Sequence, residues 1–338
     1  MDSTIAAREP ATRLESRTGA DLVKATKEFA REERWKSWWH LGSTLCVLVA
    51  AFAATTLPIH WLPRLALSVL TGLTLVRTFV IYHDHAHGTI LGRSRLASAF
   101  FYVFGILSLN PPSSWKASHN YHHQNNAKIF GSSIGSFPVM TTDGYERATR
   151  LERLAYAFSR HPMTLLLGYI SVFFYSMTLK SLLQEPTRHL DCAIAFAAHI
   201  AILVVLGIFA PAVLLFAVII PLASASALGA YLFYSQHNFP GVELRPRAEW
   251  EHVHAALRSS SYTAMNPVLQ WFTGNIGFHH VHHLNAKIPF YRLPEAMRSI
   301  PELQAITPLR LSPADIYRCL RLKLWDPARN RMVSFRGA

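Results

Sequence analysis

Charge is scarce in this 338-residue chain: 16% of its residues are Asp, Glu, Lys or Arg, and 51% are hydrophobic. A soluble globular domain carries about a quarter of its residues as charges, so an ordinary water-soluble domain is excluded and a membrane is the expected solvent. Cysteine is nearly missing. Cys46, Cys192 and Cys319 stand far apart and form no CxxC pair, which excludes a disulfide framework and a thiolate zinc site. No HExxH occurs, because Asp84 and Ala86 fill the inner positions of the first histidine cluster, and a zinc protease would lack its glutamate base. The carboxylate-rich ExxH pairing of soluble di-iron bundles is also absent. No cleaved signal peptide is expected, since Arg8, Glu9, Arg13, Glu15, Arg17, Asp21 and Lys24 mix both signs ahead of any apolar run.

What the chain does have is long apolar runs, at 41–58, 65–82, 192–209 and 211–234, and a mean hydropathy of +0.18. At about 1.5 Å rise per residue, each is long enough to cross a hydrocarbon core of about 30 Å as a helix. The runs are continuous rather than alternating, which argues against barrel strands. The net charge of +13 gathers outside these runs, at Lys24, Lys27, Arg31, Arg34 and Lys36, and at Arg310, Arg318, Arg321, Lys323, Arg329 and Arg331. Retention of basic loops on the cytoplasmic side accounts for it. No nucleic-acid partner is expected, and both chain ends are expected in the cytoplasm.

Three regions follow: a cytoplasmic N-terminal arm at 1–37 with a short amphipathic helix near 20–36, a membrane domain at 38–300, and a basic cytoplasmic tail at 301–338. Trp35, Trp38 and Trp39 mark an interfacial belt. The stretch 97–109, closed by Asn110, Pro111 and Pro112, is too short to span and reads as re-entrant or buried. If histidines on either side of the later apolar stretches share one site, the chain crosses an even number of times between them. The stretch 164–183, diluted by Gly168, Ser171, Ser176, Thr178 and Lys180, is then the one expected to lie in the interface. The fold class is therefore all-α and integral to a membrane, with four spans and a cytoplasmic helical cap.

Eleven of the 18 histidines fall in four places: HDHAH at 83–87, HNYHH at 119–123, His237, and HHVHH at 279–283. On a helix, residues three or four apart share a face. His83 with His87, His119 with His122 and His123, and His279 with His282 and His283 each form a bank of imidazoles. His85 is rotated by about 200° from His83, and His280 by about 100° from His279, at about 100° per residue; both are expected to point elsewhere. His237 follows the fourth run as His83 follows the second, so both reach the same rim. Nine imidazoles, His83, His87, His119, His122, His123, His237, His279, His282 and His283, are too many for one metal and fit two. Imidazole suits iron, zinc, copper and nickel alike, so ligand type does not select among them. Asp84, Asn120, Asn125, Asn238 and Asn275 are candidates to hold the outer imidazole nitrogens.

HxxxH, HxxHH and HxxHH in this order resemble the three histidine boxes of the membrane fatty acid desaturases. The tract SSSYTAMNPVLQWFTGNIGFHHVHHLNAKIPFYRLPEA at 259–296 is similar to the third-box neighbourhood of acyl-lipid desaturases, above all the Δ12 (omega-6) group, and QHNF at 236–239 resembles their extra-histidine motif. The resemblance runs over roughly 78–297. The first box reads HDHAH where Δ12-type members commonly carry HDCGH, so the double-bond position is left open. No HPGG haem motif is present, since 161–164 reads HPMT.

The resemblance implies four membrane helices, two iron ions in a cytoplasmic site, O₂ as co-substrate, an acyl tunnel, membrane lipid acyl chains as substrate with the carrier an acyl-lipid or an acyl-CoA, and an external electron donor of ferredoxin or cytochrome type. The basic C-terminal surface around Arg321 and Lys323 is expected to hold the topology and meet lipid headgroups; docking of an acidic donor there is the alternative. A hydroxylase, an alkane monooxygenase or a carotenoid-modifying enzyme is the alternative within the same chemistry. A membrane metal transporter would instead place ionisable ligands within the spans.

Overall fold

The computed structural model describes residues 17, 19–131 and 134–336. The charged positions Arg8, Glu9, Arg13 and Glu15 of the N-terminal arm lie outside these residues. Among the described residues, four helices are long and apolar enough to cross a membrane: Arg34–Thr56, Trp61–Ala86, Leu190–Phe209 and Pro211–Ser235. We call them the first to fourth spans.

The spans differ from their apolar runs chiefly at the ends. The first begins at Arg34 because the expected amphipathic helix is broken. Gly19–Ala25 is helical and Lys27–Ala30 is a tight turn. The next residues give their polar groups to distant partners: Glu32 Oε1 accepts from Leu91 N at 2.7 Å, and Glu33 N donates to the Tyr291 hydroxyl at 2.9 Å. The second span starts behind His60, whose Nδ1 accepts from Leu62 N. It then continues through the first histidine cluster. Gly88, at φ +65°, ends it: Gly88 N bonds to His85 O and Thr89 N to Asp84 O, the paired capping that a left-handed glycine allows.

The second span is the hub, packed on one side by the first and on the other by the fourth. The approach to the fourth is so close that a Cβ on Gly72 would lie 2.0 Å from Ser224 Oγ and 2.7 Å from the Pro221 carbonyl oxygen. Third and fourth spans are separated by Ala210 alone. The stretch expected in the interface forms a helix of wide turns at Tyr169–Lys180, packed on the third and fourth spans.

Helix Arg95–Leu107 is capped by Ser94, buries Phe101 and Phe104, and ends where Leu109 turns to φ +57° ahead of Pro111 and Pro112. Helix Pro112–Asn125 follows, and its start is fastened to the third span. Asp191 accepts from Ser113 N at 2.8 Å and from Ser113 Oγ at 2.5 Å, a carboxylate supplied to the positive end of a helix.

The C-terminal ends of the second and fourth spans meet at one end of the bundle, beneath a cap. The cap contains short helices at His252–Arg258 and His279–Leu284 and two small sheets. Thr263–Ala264 pairs in parallel with Leu309–Arg310. Met140–Thr141 pairs in parallel with Leu324–Asp326, which pairs antiparallel with Arg331–Val333. The basic C-terminal segment is thus folded into the cap, with Leu324 and Trp325 buried. Lys323 is also buried, its Nζ donating to the Arg160 carbonyl oxygen. Lys323 therefore cannot supply a docking charge, whereas Arg321 is exposed.

Candidate metal centre

The second span delivers His83 and, at its C-terminal end, His87; helix Pro112–Asn125 delivers His119, His122 and His123; the fourth span ends just before His237; and helix His279–Leu284 delivers His279, His282 and His283. The fold brings all nine together in two groups. His83, His87, His119, His123 and His282 form one, and His122, His237, His279 and His283 the other; within each, one nitrogen per ring lies within 4.8 Å of every other. The groups adjoin, with His123 stacked on His283 at 4.3 Å between ring centroids.

In the first group, His87 Nε2 is 2.9 Å from His119 Nε2, which is 3.1 Å from His123 Nε2, which is 3.1 Å from His282 Nε2. In the second, His237 Nε2 lies 3.0 Å from His122 Nε2 and 2.9 Å from His279 Nε2, and His122 Nε2 lies 3.3 Å from His283 Nε2. Nitrogens that each sit about 2.1 Å from one ion, at right angles, are about 3 Å apart.

Two rings show which nitrogen faces inward as a lone pair. His83 Nδ1 lies 3.1 Å from Asp84 Oδ1, and His237 Nδ1 lies 2.9 Å from the Ser259 carbonyl oxygen. Oxygen acceptors there place the single proton of a neutral imidazole on Nδ1 and leave Nε2 bare. The bare Nε2 of His237 is aimed at two more ring nitrogens, an arrangement that suits a cation held between them. Asp84 is itself fixed by Phe290 N at 2.7 Å, which ties the first cluster to the segment after the last.

The rings are held neutral, the form a metal requires. Burial, reinforced by neighbouring imidazoles, pushes His119, His122, His123, His279, His282 and His283 well below the usual histidine range. Burial takes His87 down to about 3 and His237 to about 4, the latter against the opposing Ser259 carbonyl.

His85 and His280 point out of both groups. His85 Nδ1 faces the Ile90 carbonyl oxygen at 3.2 Å, and His280 Nε2 faces that of Leu303 at 3.2 Å. Of the proposed supporting residues only Asp84 reaches an imidazole. Asn125 bonds Tyr121 O and Lys128, Asn275 bonds Phe290 O, and Asn120 lines a cleft. Asn238 accepts from the fully buried Arg160 and donates to Cys319 O at 2.8 Å. Sequence reasoning missed the Ser259 carbonyl, which no side-chain pattern announces. It also missed the role of Arg160, which bridges Pro138 O, the Tyr234 hydroxyl and Leu322 O.

A model of the fatty acid desaturase family matches residues 59–310. The chain belongs to this family. A protein of Bacillus subtilis (strain 168) named fatty acid desaturase is 31% identical over 324 residues, which are 94% of this chain and 90% of its own length. The sn-1 oleoyl-lipid 12-desaturase of Synechocystis sp. is a more distant relative, 23% identical over 83% of this chain and 81% of its own. A temperature-sensitive sn-2 acyl-lipid omega-3 desaturase (ferredoxin) of Arabidopsis thaliana is 25% identical over 71% of this chain and 55% of its own length. The four apolar helices and the two imidazole groups fit this family of membrane oxidoreductases.

Proposed function

We propose that the nine imidazoles hold two iron ions and that the enzyme uses O₂ and two external electrons to introduce a double bond into an acyl chain. The observation that carries this reading is the convergence of four separate chain segments into two adjoining groups of neutral, inward-facing imidazoles. The reaction balances as removal of two hydrogens from adjacent carbons, with O₂, two electrons and two protons leaving as two waters. An unactivated methylene has no acidic proton to remove, so the bound metal pair supplies the oxidising chemistry.

The chain's own residues do the rest. Asp84 and the Ser259 carbonyl keep protons on the outer nitrogens of His83 and His237 and so hold the inner nitrogens ready for metal. Trp115 stacks on His119 at 4.7 Å and Phe233 stands 5.5 Å from His122, which puts apolar surface against one side of each group. Positioning of one carbon pair beside the groups then decides where the double bond forms. The names of the relatives support acyl chains of membrane lipids as substrate, and the basic flanks of the spans support a cytoplasmic site.

Expression in a host lacking desaturases, followed by fatty-acid analysis with double-bond location, tests the proposal. A product two hydrogens lighter is expected, and none with His122→Ala. An oxygenated product would assign a hydroxylase instead.

A further inference from the structure

The two imidazole groups are not sealed from the cap's outer surface. A cleft of about 490 Å³ opens beside helix Pro112–Asn125, and its lining includes His87 and His123 of the first group and His283 of the second. Asn120, Gln124 and Trp250 are also among its lining residues. The cleft therefore borders both groups at one place.

The mouth has a sign. Lys287 adjoins the lining residue Ala286, is exposed, and reaches the His87 carbonyl oxygen with Nζ at 2.5 Å. Lys128 stands with Nζ 4.5 Å over the Trp250 ring, with the exposed Arg247 beside it. Exposed Lys116 lies one helical turn before Asn120. Glu249 and Glu251 are the nearby exposed carboxylates in sequence, so the cations outnumber them. A rim of this kind speeds and orients the approach of a negatively charged protein.

The reaction proposed above needs two electrons that neither substrate nor O₂ provides, and transfer to a buried centre falls steeply with distance. Resting on that reading, we propose that this cleft is the docking site of a small acidic one-electron carrier protein, which places its redox group over His87, His123 and His283. The C-terminal surface is the poorer candidate: Lys323 is buried, and the exposed Arg318 is already paired with Asp315 at 3.2 Å.

An acidic [2Fe–2S] ferredoxin is the probe. Its binding to the full-length, metal-loaded protein is measured by titration. Desaturation is measured in parallel with ferredoxin and with dithionite as the small-molecule reductant. Lys128→Glu with Arg247→Glu is expected to weaken ferredoxin binding about tenfold or more and to flatten its salt dependence, with dithionite-driven turnover unchanged. Arg247→Glu alone, a fully surface change, is expected to move binding in the same direction. Unchanged ferredoxin affinity in both variants, or an equal loss on Arg318→Glu with Arg321→Glu, overturns the docking site. Normal charge-dependent binding at the cleft without desaturation by either reductant would instead overturn the desaturase reading and leave the docking surface standing.

Discussion

Asp84 shows how a single side chain organises the centre. Its carboxylate faces the outer nitrogen of His83 with one oxygen and accepts from Phe290 N with the other. Partners of this kind orient a metal-binding ring and fix its tautomer, and their loss costs about 10–100-fold in metal affinity. Asp84→Ala is therefore expected to lower affinity within that range in a chelator competition, while Asp84→Asn, which keeps an acceptor oxygen, loses less. Equal affinity in the alanine variant would show that His83 needs no such support. At this scale the periodicity of the sequence was informative: it put eight of the nine rings on shared faces and turned His85 and His280 away, while His237 was placed by its position after the fourth run. The acceptor for His237 was not legible, because it is a backbone carbonyl 22 residues away in the chain.

At the scale of elements, hydropathy located all four spans but misplaced their ends. It reads apolar surface, whereas a helix continues as long as its backbone is paired. The second span thus runs four residues past the apolar stretch, from Tyr82 to Ala86, with polar side chains that the cap covers. The expected helix over 20–36 failed because Glu32 and Glu33 have tertiary partners that a local pattern does not contain. The packing of the second and fourth spans yields a sharper prediction. Gly72→Ala puts a methyl into the Pro221 carbonyl, and overpacking of this kind costs about 1–3 kcal/mol. A lowered thermal midpoint in detergent is expected, and Ser224→Ala is not expected to rescue it, since the carbonyl remains. A stability equal to the parent's would mean that the spans separate freely.

At the scale of the molecule, the cap is assembled from segments remote in sequence, and no periodic signal foretold it. Arg160 and Lys323 join residues 138–160, the end of the fourth span and the C-terminal segment. Burial lowers the Lys323 ammonium from 10.5 to about 8. Between these two values the unfolded chain binds more protons than the folded one, so this lysine makes stability rise with pH across that window. Thermal midpoints measured from pH 7.5 to 10 should rise more for the parent than for Lys323→Met; parallel curves would show that the ammonium is hydrated in the fold.

The central claim is that four distant segments build one centre for two iron ions. Metal analysis of the purified, active protein tests it most directly. Two irons per chain are predicted, with both lost together when His122 or His283 is replaced by alanine. A single zinc per chain in fully active protein would contradict the account.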